Sequence, residues 1–155
     1  MNKIGLLACS SLLVLAFAQR GLSQFSELGT IITPSGNIFC RVWGAADPAS
    51  LPKTFDQSLN TTNLVCEVQQ MSAKIPAKPK DCEFDWGYRF SLSERGKATR
   101  ACYSDVLYSP NMKRLEYGQT RKIAGFVCDL TTLRLRCINL DKRGFELSKA
   151  TQKLF

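Results

Sequence analysis

Cysteine has the widest chemical reach of any residue in this chain, and its spacing argues for bridges over nucleophiles or metal ligands. There are seven cysteines and no histidine. Cys9 lies in an apolar leader, which leaves Cys40, Cys66, Cys82, Cys102, Cys128 and Cys137, an even set with no C-x-x-C pair. Metal-ligand spacing is therefore missing, and so is the commonest metal ligand and general base. Once six thiols are paired, no thiolate remains to act as a nucleophile. The chain also lacks a G-x-S-x-G elbow, a phosphate-cradling glycine loop and a metal loop.

Carboxylates are what is left. Asp81, Glu83, Asp85 and Asp105 form the densest acidic group, and a paired-carboxylate glycosidase could use Asp85 and Asp105. The period-two spacing of Asp81, Glu83 and Asp85, beside Lys78 and Lys80, points instead to an ion-paired strand face. Asp85-Trp86-Gly87 has two readings. One is an exposed aromatic platform; the favoured one has Trp86 packed beside a cystine and Gly87 at a bulge. Asp105 reads as a turn-former. No catalytic residue, metal ligand or cofactor site is assigned.

Charge supplies the best lead to a partner. The formal net charge is +8, and residues 113–155 carry ten basic residues against four acidic ones. Arg114, Arg121, Lys122, Arg134, Arg136, Lys142 and Arg143 are the candidates for a basic C-terminal face that attracts anions. The competing reading is a solubilising surface. Nucleic acid is not the expected partner, because stacking platforms are needed beside such charge and Phe126 and Phe145 fall in strand patterns that read as buried. An anionic envelope polymer or an acidic protein fits better.

The elements that must position these groups follow from the pattern. Asn2 and Lys3, the apolar run Ile4–Ala18 and the small-x-small Ala16-Phe17-Ala18 read as a secretory signal peptide cut near Ala18/Gln19. At about 15 residues the run is too short to span a bilayer, which takes roughly 20. Leu6-Leu7-Ala8-Cys9 resembles a lipobox, but the strongest apolar stretch lies after it. Residues 19–33 read as a lead-in, and 34–155 as a single disulfide-rich domain. Pro34-Ser35-Gly36-Asn37 is a turn signal. Strands are expected over Ile38–Trp43, Asn63–Gln69, Cys82–Leu92, Lys97–Tyr103, Ile123–Leu130, Leu133–Leu140 and Gly144–Leu147. Gly44–Thr62 suits a long surface loop and 74–79 an extended connector, while Ser148 could cap a final helical turn through Lys153.

Register can be tested at the last cysteines. Setting Cys128 opposite Cys137 places Asp129 against Arg136 and Leu130 against Leu135 across a four-residue turn, pairing charge with charge and apolar with apolar. This favours Cys128–Cys137, and the same hairpin logic favours Cys40–Cys66 and leaves Cys82–Cys102. Fifteen pairings are open to six cysteines. An internal echo accompanies these pairs: Gly36-Asn37-Ile38-Phe39-Cys40 with Leu64-Val65-Cys66, and Gly125-Phe126-Val127-Cys128 with Leu135-Arg136-Cys137.

Taken together, Pro34-Ser35-Gly36-Asn37-Ile38-x-Cys40, Cys66-Glu67, Cys82-x-x-Asp85-Trp86-Gly87, Tyr117-Gly118, Gly125-Phe126-x-Cys128, Cys137-x-Asn139 and Gly144-Phe145-x-Leu147-Ser148 resemble a family of small exported bacterial proteins known only as a domain of unknown function. The chain departs from that pattern in its long Gly44–Thr62 insertion and in lacking a Gly after Ile38. The resemblance implies an exported, cystine-paired protein and implies no activity. The expectation is a mainly β, disulfide-stapled antiparallel domain, sandwich or barrel-like, with little helix, secreted or periplasmic. Its expected role is a non-enzymatic binding module. An inhibitor or immunity-type protein comes second, and a hydrolase built on Asp85 and Asp105 third.

Overall fold

A computed structural model describes residues 25–45 and 62–155. The leader with Cys9 and its cleavage site, and most of the Gly44–Thr62 loop, lie outside the described residues.

Alternating apolar residues with short turns between them build strands, and here they build two meanders. The first sheet holds β1 (Phe25–Ile32), β2 (Ile38–Ala45), β3 (Asn63–Val68), β4 (Asp85–Ser93) and β5 (Thr99–Tyr103) in sequential order. The second holds β6 (Thr120–Ile123), β7 (Phe126–Leu130), β8 (Leu135–Ile138), β9 (Gly144–Leu147) and β10 (Gln152–Leu154), again in sequential order. All strand pairs are antiparallel, and no helix occurs among the described residues.

Both sheets carry the same device at the same place. In the first, Cys40 of β2 faces Cys66 of β3, which faces Phe90 of β4. In the second, Cys128 of β7 faces Cys137 of β8, which faces Phe145 of β9. The paired Cα atoms stand 4.0 and 4.1 Å apart, the close spacing of directly opposed residues. Phe90 and Phe145 then meet between the sheets, ring centroids 6.3 Å apart. Ile31, Val42, Leu64, Leu92, Phe126, Leu135 and Leu147 close the core around them. The echo in the sequence is thus an equivalence of position: second and third strands bridged, fourth strand aromatic, in each meander.

The outer face of the first sheet is covered as well. Phe39 packs with Leu107 and Met112 from the segment between β5 and β6, and edge-on against Tyr108. That segment is tied to β1 by the Ile32 and Leu115 amides, which donate to Lys113 O at 2.9 Å and Ile32 O at 3.0 Å, and by Lys113 N donating to Thr30 Oγ1 at 2.8 Å. On the same face Glu67 stands opposite Arg89 and is buried with it.

Three elements differ from the sequence reading. Residues 25–32, expected as lead-in, are the edge strand β1, because the covering segment and β2 supply partners for both of its sides. Ile123–Leu130, expected as one strand, is two: Ala124 and Gly125 take φ of 44° and 88° and make a two-residue hairpin turn. Such a turn normally advertises itself with Asn-Gly or Asp-Gly, and alanine gave no such signal. The helical turn expected after Ser148 is absent. Ser148 N donates to Thr151 O at 2.8 Å and Thr151 N to Ser148 Oγ at 3.0 Å, reversing the chain so that β10 pairs with β9.

The three disulfides join Cys40 to Cys66, Cys82 to Cys102 and Cys128 to Cys137. The first and third are sealed in the core, whereas Cys102 is exposed. Graded reduction with thiol alkylation and peptide mass analysis should therefore label Cys82 and Cys102 first; equal labelling of Cys40 or Cys128 would contradict the burial argument. A second expectation concerns Gly144, where a Cβ would lie 1.9 Å from Cys137 O. Since the obstruction is backbone, Gly144→Ala should cost about 2–4 kcal/mol in urea unfolding; an unchanged midpoint would refute the close approach.

Candidate functional site

The two ends of the β-sandwich are built differently. At one end the turns are bound together. Asn139 Nδ2 donates to Ser93 O at 2.9 Å and Gly96 O at 2.8 Å, and Asp141 accepts from Gly96 N at 2.9 Å and pairs with Arg95 at 2.8 Å. These contacts lock the β8–β9 turn onto the β4–β5 turn. The Gly96 amide, and behind it Arg95, hold the Asp141 carboxyl below its ordinary pKa.

At the other end the sheets part around a cleft of about 650 Å³. Its walls are the β1–β2 turn, the residues just after β3, Tyr117, the β7–β8 turn and the β9–β10 turn. Local chemistry fixes each wall. Gly36, at φ 68°, lets the β1–β2 turn close, with Gly36 N donating to Thr33 O at 2.9 Å. Asn37 then ties that turn to the next strand, its Oδ1 accepting from Gln70 N at 2.8 Å and its Nδ2 donating to Gln70 O at 3.2 Å. Thr131 Oγ1 accepts from Leu133 N and Arg134 N, both at 3.2 Å, and so shapes the β7–β8 turn. Across the mouth, Ser72 N donates to Lys149 O at 2.8 Å.

The floor of the cleft is apolar: Ile38, Leu130, Leu135 and Leu147 are all buried. Its rim is hydroxyls and amides from Ser35, Gln69, Gln70, Thr131, Thr132 and Ser148, with one aromatic ring, Tyr117. Among the described residues no carboxylate, thiol or imidazole lines it, and the charged groups that do are Arg134 and Lys149. Arg134 leans on Glu146 at 3.3 Å, in a smaller hollow of about 250 Å³ next door. An apolar floor with a few polar groups is the general form of a small-molecule seat.

The candidate basic residues do not gather on one face. Arg121 donates to Thr30 O at 3.0 Å, Lys113 O at 3.1 Å and Arg114 O at 2.7 Å, so its guanidinium staples β6 to β1 and the covering segment. Arg134 and Arg136 both lie 3.3 Å from Glu146, and Arg136 also sits over the Phe155 ring at 5.1 Å. Arg114 and Lys122 are exposed near the β1–β6 side, while Lys142 and Arg143 project from the closed end. Arg134 is the member that reaches the cleft. The cleft itself was invisible beforehand, since Pro34–Asn37 carried only a turn signal and Tyr117 fell in an irregular stretch.

The acidic candidates are likewise dispersed. Asp81 and Glu83 precede β4 and do not share a strand face with Asp85. Asp105 lies at a bend after β5 and is also an ion-pair partner: it meets Arg89 at 2.6 Å, while Arg89 also holds Glu67 at 2.7 Å and lies 4.2 Å from the Tyr103 ring. Burial by itself would lower the Arg89 pKa, but hydrogen bonds to Glu67 and Asp105 raise it. Trp86 is half-buried and donates from Nε1 to Pro76 O at 3.1 Å, which fastens the 74–79 connector. Gly87, at φ 108°, sits at the β4 bulge with Ile75 where a Cβ would be. No group of three or more potential metal ligands occurs among the described residues.

Fold and site define a class: an all-β protein of two antiparallel sheets, stapled by three disulfides, with one bound end and one open end. The chain belongs to DUF6636, a family of unknown function whose pattern matches residues 10–155. No curated protein and no solved structure matches it.

The Arg89 contact has a pH consequence. Its hydrogen bond holds the Asp105 carboxyl below the ordinary value of 3.8. A carboxyl depressed on folding contributes stability that is present above its unfolded pKa and lost as pH falls through the folded one. Asp105→Asn should flatten the acid limb of the stability–pH curve below about pH 4. With the Asp105 side chain 75% exposed, the change at neutral pH should stay under about 1 kcal/mol. An acid limb identical to that of the unmodified protein would remove Asp105 from the argument.

Proposed function

We propose that this protein is an exported, non-enzymatic binding module that seats an anionic partner in its open end cleft. The carrying observation is the lining of that cleft: among the described residues it has an apolar floor, a rim of hydroxyls and amides, the Lys149 ammonium, Arg134 paired with Glu146, and no carboxylate. Among the described residues lining it, a cationic ligand finds no carboxylate as counter-charge and hydrolysis no carboxylate pair. Arg89 holds Asp105 with a depressed pKa, opposite to what a general acid needs. The net charge of +8 adds long-range attraction for anions whichever basic residues are locally paired. Disulfides belong to an oxidising compartment, and the leader-like residues 1–18 support export, in a bacterium to the periplasm or beyond.

A second reading is an inhibitor that presents the β7–β8 turn to one enzyme. What favours it is Leu133, 79% exposed at the tip of a turn pinned by Cys128–Cys137. Stoichiometric inhibition of a single enzyme, abolished by Leu133→Asp, would move this reading to first place.

Dextran sulfate is a suitable anionic probe for the first reading, with dextran as its neutral control. Amide shifts should centre on Gly36, Gln70 and Thr132, weaken as salt is raised, and diminish in Lys149→Glu by about tenfold in affinity, or about 1.4 kcal/mol. Shifts confined to Lys142 and Arg143, or to Arg114 and Lys122, would place binding elsewhere and defeat the assignment.

A further inference from the structure

We propose that the occupant of the cleft is an acidic saccharide chain, with the Tyr117 ring as its stacking platform and the Lys149 ammonium as the partner of its charge. This rests on the cleft being the ligand seat, and names the chemistry it selects.

A sugar ring has an apolar C–H face and a hydroxyl rim. The cleft offers the complement of both. Tyr117 lines the cleft and is 46% exposed, and its phenol has no hydrogen-bond partner among the described residues, so an aromatic side chain with an uncommitted hydroxyl is accessible there. Gln70 and Thr132 line the same cleft, neutral groups able to donate and accept, which suits hydroxyls of either polarity. Lys149 completes the set. Its backbone is fixed by Ser72, whereas its ammonium makes only a long 3.5 Å contact with Gln70 Oε1 and can turn toward a carboxylate or sulfate.

Other anionic polymers fit less well. A single-stranded nucleic acid needs successive aromatic platforms along a basic groove, and Tyr117 is the one aromatic residue among the described residues lining this cleft. An acidic peptide bound by strand addition needs an open strand edge, and the walls here are turns.

The disulfide-bonded protein would be titrated with oligosaccharides of galacturonate, alginate and heparin. Maltohexaose and poly-L-glutamate serve as controls, and amide shifts and calorimetry as readouts. At least one acidic saccharide should give saturable, cleft-centred shifts and bind more tightly than either control. Tyr117→Ala should weaken that binding about tenfold, and Tyr117→Phe, which keeps the ring, should restore most of it. Poly-L-glutamate binding as tightly as the saccharides, or Tyr117→Ala without effect, would overturn the saccharide assignment while leaving an anion seat in place. Failure of every anionic probe to shift the cleft amides would overturn both readings.

Discussion

The contact of Phe90 with Phe145 is the point on which the rest of the molecule hangs. Each ring ends a row that begins with a cystine, and each cystine fixes two adjacent strands of its own sheet in register. A slip of one residue in either sheet would turn its cysteines and its phenylalanine outward together, because strand faces alternate. The bridges therefore enforce register within the sheets, and the aromatic pair enforces register between them. On a loop-entropy model, which calorimetry disputes, each bridge stabilises by roughly 2–4 kcal/mol.

From that centre the two ends diverge. Asn139 and Asp141 reach across the sandwich and satisfy backbone groups on the β4–β5 turn, so the sheets are drawn together there. At the far end most of the turn contacts stay inside one sheet: Asn37 binds Gln70 within the first, and Thr131 and Ser148 bind their own turns within the second. The ties between the sheets at these turns are those of Lys149 with Ser72 and Gln70, and the gap beside them is the cleft. The two ends of a near-repetitive fold thus differ in how their turns are hydrogen-bonded.

Charge in this protein is spent largely on architecture. Arg121 caps three carbonyls, Arg89 gathers Glu67 and Asp105, and Glu146 occupies Arg134 and Arg136. A guanidinium is suited to such work because its planar fork serves several acceptors at once. Of the ten basic residues after position 112, those free of such duties are mostly lysines, whose solvated ammonium groups contribute field without geometry. This is why a large net charge does not by itself describe a binding face.

The β content, the register of Cys128 against Cys137 and the apolar alternation of most strands were legible in the sequence, because disulfide geometry and period-two burial are local constraints. So was the pairing of the other four cysteines, Cys40 with Cys66 and Cys82 with Cys102. Hidden from it were β1, whose second flank is covered by residues more than eighty positions away, and the Ala124–Gly125 turn, whose first residue is an alanine at positive φ. The roles of Arg121 and Asp105 were equally hidden, since a charge in a one-dimensional string does not announce its partner. The cleft belongs wholly to tertiary structure: it is made by turns from both meanders, and only their packing brings Asn37, Tyr117, Thr131 and Lys149 to one opening.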